Sequence, residues 1–119
     1  MWKDEGYLLD ILTEARKLMN RFSGVPREDF ATNEERQYAA FWSIAVMGEA
    51  AGKISSDFKD THPDIPWREM IGIRNVLVHN YARIDLDIVW SVITYSVPRL
   101  IHVIEPLVPG ENEVLDDEV

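Results

Sequence analysis

The sequence predicts an all-α, up-and-down bundle of four or five helices, and three observations support this prediction. Apolar residues recur at helical spacing in several long segments. Prolines, glycines and capping residues separate these segments. No segment supplies a partner strand for the one β-branched stretch. With 119 residues, of which 46% are apolar, the chain suffices for one domain with a modest core.

The first predicted helix carries a continuous apolar stripe opposite a charged face. Gly24 and Pro26 follow it as a stop signal, and the segment PREDF after them can form at most a short helical turn. The stripe consists of Tyr7, Leu8, Ile11, Leu12, Ala15, Leu18, Met19 and Phe22.

The next predicted helix is long, and Thr32 is expected to open it in a capping box with Glu35. It should reach about Ile54. Glycine lowers helix propensity by about 1 kcal/mol, so we expect close approach of a neighbouring helix at its two glycines. Glu49 is expected to be either a buried acid or, more simply, a partly exposed carboxylate. The expected inner stripe is Tyr38, Trp42, Ala45, Gly48 or Glu49, and Gly52.

The segment SSDFKDTHPDIP is predicted to be a loop, after which Pro66 suits the first position of a third long helix. Asn80 should end that helix, and Asp85 should cap the last one. The last segment is rich in β-branched residues, but its length favours a helix, which Pro98 should kink or locally open. Its apolar set is Val89, Val92, Ile93, Val97, Leu100, Ile101 and Ile104.

The amino-acid composition limits which kinds of site the protein can contain and in which compartment we expect it. The absence of cysteine excludes disulfides, thiolate zinc sites and thiol catalysis, and it fits a reducing compartment, so we expect a cytoplasmic protein. No apolar run approaches the ~18 residues of a membrane span, and the first residues lack a secretory signal pattern. We therefore expect a soluble protein without a membrane partner. No cofactor is expected, because the three histidines lack the spacing of zinc ligands.

The chain is strongly acidic, but its charge is unevenly distributed along the sequence. A net charge of −9 argues against a simple nucleic-acid binder, because lysine and arginine supply most non-specific affinity for phosphates. Residues 110–119 hold five acidic residues and no basic one, and we expect them to form a disordered tail after a single domain of residues 1–109. Residues 65–84, by contrast, carry three arginines and one glutamate.

That locally basic window contains the segment RNVLVHNY, residues 74–81. On a straight helix with about 100° per residue, Arg74 and Tyr81 share a face, as do Asn75 and His79. Arg74 and His79 diverge by about 140° on the same helix. They can act on one small substrate only if the helix ends near His79 or if a second copy of the protein faces the first.

These residue types suit metal-independent RNA cleavage. The forked cation of Arg74 can hold a phosphate, and His79 can take and return a proton near neutral pH. Such cleavage needs a base and an acid, so one histidine per chain is one group short, and a dimer supplies the second. A structural alternative remains open. Both residues could simply satisfy the last carbonyls of a helix and complement its dipole.

Larger stretches of the chain carry a family resemblance. Arg74, His79 and Tyr81 form the pattern Arg-x-x-x-x-His-x-Tyr, which is weakly specific alone. Together with GEAAGKIS at residues 48–55 and PWREMIGIRNVLVHNYARIDLDIVW at residues 66–90, it is strongly specific. The chain resembles the HepT-like family of HEPN-domain proteins over about residues 4–108.

The resemblance implies a HEPN-like bundle that dimerises through the motif and acts as the ribonuclease toxin of a toxin-antitoxin pair. Arg74 and His79 would be the catalytic pair, and Asn75 the supporting polar residue. Tyr81 would be the residue on which a partner, a minimal nucleotidyltransferase antitoxin, places adenylyl groups. Such negatively charged groups beside Arg74 would block RNA. The alternative is a catalytically inactive HEPN module that binds nucleotides or proteins and partners a nucleotidyltransferase.

Overall fold

The computed structural model describes residues 2–108, except for the side chains of Trp2 and Tyr81. These residues form helices joined by short turns, with no strand in the described part of the chain, which confirms the all-α prediction. The predicted tail, residues 110–119, lies outside the described residues. The α-helices are α1 (Trp2–Phe22), α2 (Arg27–Ala31), α3 (Glu34–Lys53), α4 (Ser56–Thr61), α5 (Trp67–His79), α6 (Leu86–Ser91) and α7 (Val97–Ile104).

The bundle is built from α1, α3, α5 and the combined last helix. Helix α3 lies between two neighbours, because it packs against α1 and also against α5. Helix α1 packs in turn against α7. The predicted stripe of α1 is confirmed where it faces this core, with Leu8, Ile11, Leu12, Ala15, Leu18 and Phe22 buried. Met19, at the edge of the stripe, is exposed.

The last helix forms as predicted and is interrupted before Pro98. Asp85 caps its start by accepting the backbone N–H of Asp87 at 2.9 Å. A π-helical turn, Val92–Ser96, joins α6 to α7. Pro98 lacks the N–H that would bond to the carbonyl of Thr94, so a wider turn is tolerated there. The helix nevertheless buries most of its predicted set, namely Val89, Ile93, Val97, Leu100 and Ile104.

The predicted inner stripe of α3 is largely wrong. Tyr38 and Trp42 are 60% and 70% exposed, and Gly52 is also exposed. The buried face of α3 consists instead of Ala40, Ser43, Ile44, Met47, Gly48, Ala50 and Ala51. Small residues line that face because α3 must fit between α1 and α5, and bulky aromatic side chains are left on the outer side.

The predicted start of α3 is wrong by one residue. Asn33, not Thr32, is the cap, and its side-chain oxygen accepts the backbone N–H of Arg36 at 3.0 Å. The hydroxyl of Thr32 donates to the carbonyl of Glu28 at 2.8 Å, which ties it to α2. Both residue types cap helices well, so the sequence pattern alone did not distinguish them.

The predicted loop after α3 is also wrong, because α4 forms within it. Ser55 caps α4 by accepting the backbone N–H of Phe58 at 3.2 Å. Pro66 stands immediately before α5 rather than within it, and α5 ends at His79, as expected from Asn80. Within residues 2–108, no helix is long and apolar enough to cross a membrane.

Candidate functional site

The site is built where α5 approaches α3. A Cβ atom at Gly48 would lie 2.2 Å from Cβ of Arg74 and 2.6 Å from the carbonyl oxygen of Met70. Gly48 therefore allows the stem of Arg74 to lie directly on the backbone of α3. This contact confirms the expectation of close helix approach for Gly48. It does not hold for Gly52, which has no such neighbour within 4 Å.

Arg74 is held by acceptors on two sides. Its Nη2 atom lies 2.8 Å from Oε2 of Glu49 on α3, and its Nη1 atom donates to Oδ1 of Asn75 at 3.0 Å. The second oxygen of Glu49, Oε1, lies 3.7 Å from Nζ of Lys53. The side chain of Arg74 remains 29% exposed. The guanidinium is thus oriented by protein groups while part of it is open to solvent.

His79 is the last residue of α5 and is exposed. Among the described side chains, its ring makes no hydrogen bond or ion pair. Arg74 and His79 lie in the same continuous helix, so their Cβ directions diverge by about 140°. Because α5 continues as far as His79, no break in the helix turns the two side chains toward each other. One chain leaves them on different sides of α5.

The backbone of Tyr81 lies outside α5. Asn80, with φ −146° and ψ 38°, ends the helix, and Tyr81 begins a 3₁₀ turn that runs to Arg83. The backbone N–H of Arg83 donates to the carbonyl of Asn80 at 2.9 Å and closes this turn. The face that Arg74 and Tyr81 would share on a straight helix therefore does not extend to Tyr81, because α5 ends before Asn80, as the sequence predicted.

A shallow groove of about 290 Å³ runs beside Arg74 between α1, α3 and α5. Its charged lining is mixed, with Asp10 and Glu49 facing the same space as Lys53 and Arg74. Two of its walls are exposed apolar side chains, Trp42 on α3 and Val78 on α5. The groove combines a guanidinium with apolar surface and has no excess of positive charge.

The other two histidines do not join this site. His62 ends α4, where its ring stacks on Phe58 at a centroid distance of 4.0 Å and its Nδ1 lies 3.0 Å from the carbonyl of Phe58. His102 is exposed on α7. No group of three or more histidine, aspartate or glutamate side chains in the described part of the chain is placed to hold a metal ion.

Glu49 is the residue of the site that sequence reasoning missed as a partner of Arg74. The available signal was its place directly after Gly48, at the start of the segment GEAAGKIS. A glycine marks a close helix contact. The carboxylate that follows it is then available to a cation on the neighbouring helix. Periodicity within α3 does not reveal that cation, because it belongs to α5.

Comparison with known proteins identifies the family to which the chain belongs. Residues 11–107 match the family described as "Ribonuclease HepT-like". A "Probable ribonuclease HepT" of Thermococcus cleftensis is 38% identical over 95 residues, covering 79% of this chain and 86% of that protein. A protein of Methanocaldococcus jannaschii named "Putative RNase" is 32% identical over 96 residues, covering 81% and 88%. No solved structure matches the chain significantly.

The fold and the motif together define a HEPN-like helical bundle with an arginine and a histidine on one helix. The match over residues 11–107 and the identity to the relatives then assign the family. The chain belongs to the HepT-like family of ribonucleases.

Proposed function

We propose that this protein is a metal-independent endoribonuclease and the toxin of a toxin-antitoxin pair. The observation that carries the proposal is the guanidinium of Arg74, which is oriented by Glu49 and Asn75 yet partly open, on the same helix as an exposed histidine. Membership of a ribonuclease family supports RNA as the substrate. The net charge of −9 then favours recognition by a few directed contacts over broad electrostatic binding.

The proposed reaction uses arginine for charge and histidine for protons. In Arg74, Nη1 donates to Asn75 and Nη2 forms an ion pair with Glu49, which leaves N–H groups of the guanidinium for the substrate phosphate. A neutral imidazole takes the proton of the ribose 2′-hydroxyl, and the 2′-oxygen attacks phosphorus. The bond from phosphorus to the 5′-oxygen breaks, and an imidazolium protonates that oxygen. Arg74 stabilises the charge that develops on the phosphoryl oxygens.

A dimer is part of the proposal, because one chain supplies one histidine on the wrong side of α5. Two chains related by a two-fold axis bring two copies of α5 together and supply both base and acid. Trp42 and Val78 support this arrangement. They are 70% and 47% exposed and flank Arg74 in the same groove, where a second copy would cover them.

Control by a partner is the last part of the proposal. Tyr81 would be the acceptor of adenylyl groups from a minimal nucleotidyltransferase antitoxin. The phenol oxygen attacks the α-phosphorus of ATP, and pyrophosphate leaves. This role is supported by the position of the Tyr81 backbone, which begins a turn two residues after His79. The added phosphate would compete with RNA for Arg74 and repel its backbone.

Cleavage of a synthetic RNA of mixed sequence by purified protein tests the proposal. We expect Arg74→Ala to lower kcat about 10²–10³-fold, because a donor to the developing charge is lost. We expect His79→Ala to lower it about 10²–10⁴-fold, because proton transfer is lost. Both variants should keep their helical content, since the two side chains are partly or fully exposed.

Arg99→Ala and His102→Ala are the matched controls, because they remove an exposed arginine and an exposed histidine from α7. Both controls should cleave like the natural protein. Undiminished cleavage by Arg74→Ala and His79→Ala would contradict the proposal. Absence of cleavage by every form, with the fold intact and Tyr81 unmodified, would instead identify a non-catalytic binding module.

A further inference from the structure

We infer that Glu49 is a positioning residue that holds the guanidinium of Arg74 in the orientation needed for the substrate phosphate. Gly48, which has no side chain, makes room for the arginine stem. The inference rests on the proposed function, since it concerns the use of Arg74. It makes the contact of Glu49 with Arg74 a requirement of the reaction, and it gives a role to Gly48, which the proposed mechanism does not use.

The stem of Arg74 lies directly on the backbone of α3 at Gly48. A Cβ atom added at position 48 would lie 2.2 Å from Cβ of Arg74 and 3.0 Å from its Cγ. A residue larger than glycine at position 48 would displace the stem, the backbone of α5 or both. The start of the Arg74 side chain is therefore determined by α3.

The guanidinium of Arg74 contacts one acceptor on α3 and one on α5. The 2.8 Å contact from Glu49 to Nη2 and the 3.0 Å contact from Asn75 to Nη1 reach different nitrogens of one planar group. Two contacts on different nitrogens define the plane of a guanidinium, whereas one contact leaves it free to turn. Asn75 lies on the same helix as Arg74. The contact with Glu49 is therefore the one that fixes the plane of the guanidinium relative to α3.

The ion pair of Glu49 with Arg74 is not explained by a contribution to the stability of the fold. The side chains of Glu49 and Arg74 are 48% and 29% exposed, and ion pairs of such exposure contribute little to the free energy of folding. Its effect is expected on orientation, since misplacing a group that binds the transition state lowers kcat strongly. Glu49 engages Nη2 through one oxygen and approaches Lys53 through the other, so its carboxylate is itself held.

Kinetics of Glu49 variants on the same synthetic RNA test the inference. We expect Glu49→Ala to lower kcat about tenfold or more with KM changed less than about threefold, because the guanidinium still binds phosphate but is misoriented. Glu49→Gln keeps an oxygen with the same reach toward Nη2, so its kcat should stay within about threefold of the natural protein. In an Arg74→Ala background, Glu49→Ala should cause no further loss.

The matched controls are Glu105→Ala and Glu105→Gln. Glu105 forms a similar surface ion pair, 3.0 Å from Arg16, and lies on the 3₁₀ turn after α7, outside the groove. These variants change the net charge equally and should leave kcat and KM unchanged. The thermal midpoints of the Glu49 and Glu105 variants should agree within a few degrees.

Arginine side-chain NMR supplies a second measurement that needs no cleavage. In the natural protein, rotation about the bond from Nε to Cζ of Arg74 should be slow and its two Nη signals separate, with assignment by their loss in Arg74→Lys. In Glu49→Ala, rotation should accelerate and the signals should merge. Glu105→Ala should leave them separate.

The possible results separate this inference from the proposed function. Unchanged Nη signals in Glu49→Ala overturn the positioning role whatever the cleavage assays show. If Arg74→Ala abolishes cleavage while Glu49→Ala cleaves normally or faster, Arg74 remains catalytic and Glu49 does not orient it. Faster cleavage would show that Glu49 competes with the phosphate. If Arg74→Ala cleaves normally, the proposed function itself fails.

Discussion

At the scale of single residues, Arg74 and His79 lie in contrasting surroundings on one helix. Arg74 contacts acceptors from α3 and α5 and is largely covered, whereas His79 is exposed and forms no hydrogen bond or ion pair with a described side chain. The contrast suits their proposed roles. A group that stabilises charge benefits from a fixed orientation, while a group that exchanges protons must be reachable by substrate.

Replacing Tyr81 with phenylalanine tests the control point. Phenylalanine lacks the phenol oxygen that would accept an adenylyl group. We expect Tyr81→Phe to remain folded and to escape inhibition when it is incubated with the nucleotidyltransferase and ATP. Intact-mass spectrometry should show adenylyl additions on the natural protein and none on the variant. Tyr95→Phe, which removes an exposed phenol from the last helix, is the control and should still be modified. Additions that persist on Tyr81→Phe would assign modification to another residue.

At the scale of helices, the contact of α3 with α5 depends on one glycine. Gly48→Ala places a methyl group against Arg74 and Met70, and overpacking of this kind costs about 1–3 kcal/mol. The gain in helix propensity, about 1 kcal/mol, offsets part of that cost. We expect a net loss of about 1 kcal/mol in the free energy of unfolding, measured in urea, together with reduced cleavage.

Gly52→Ala is the matched variant on the same helix. Gly52 has open space around it, so the substitution brings the propensity gain without a clash, and we expect about 0.5–1 kcal/mol of stabilisation. Equal stability changes in the two variants would show that α3 and α5 can separate without cost at Gly48.

Helix α4 depends on a contact with the first turn of α1. The carboxylate of Asp4 accepts the backbone N–H of Ser55 at 2.9 Å and its hydroxyl at 2.6 Å. The hydroxyl of Ser55 in turn accepts the N–H of Phe58 and caps α4. The hydrogen bond from the side chain of Ser55, followed by the one from its backbone, lowers the pKa of Asp4 below its ordinary value of 3.8.

This pKa shift predicts a pH dependence of stability. Because the folded state favours the ionised form, the stabilisation by Asp4 is present above about pH 4 and is lost as the pH falls further. We expect Asp4→Ala to lower the free energy of unfolding by about 1 kcal/mol at pH 7. The difference from the natural protein should shrink as the pH falls below about 4.

Glu5→Ala is the control, because Glu5 also lies in the first turn of α1 and is exposed. Both variants lose an equivalent interaction with the helix dipole. Urea unfolding of both variants from pH 3 to pH 7 separates that shared effect from the contact with Ser55. If Asp4→Ala and Glu5→Ala follow the same pH curve, the contact does not stabilise α4.

At the scale of the whole molecule, the proposed dimer explains two features of the surface. Trp42 and Val78 are large apolar side chains exposed beside the site, and His79 lies across α5 from Arg74. The proposed second copy of the chain would cover the first pair and bring its own His79 toward Arg74, both through one interface.

Mixed dimers test whether both copies of His79 act in one reaction. Dimers that combine one natural chain with one His79→Ala chain, purified through two different tags, should lose nearly all cleavage, because either the base or the acid is missing. Dimers of a natural chain with a His102→Ala chain should cleave normally. Retention of about half the activity by the first mixture would mean that each chain carries an independent site.

The fold was predictable where the pattern along one segment is sufficient, and less so for α3. The stripe of α1, the cap at Asp85 and the interrupted last helix all follow from local pattern. The face of α3 did not, because its contacts with α1 and α5 bury mainly small residues that no simple period reveals. The cap of α3 differed by one residue, between Thr32 and Asn33, for lack of any local distinction.

The sequence by itself determined that the chain is helical, where α5 ends, and that an arginine, an asparagine, a histidine and a tyrosine lie at that end. These are properties of residue spacing and of local caps, which act within a few positions along the chain. Only the tertiary structure decided that Glu49 contacts Arg74 and that Asp4 binds Ser55, the cap of α4. Such contacts join helices that are distant in sequence, and their geometry exists only once the helices have packed.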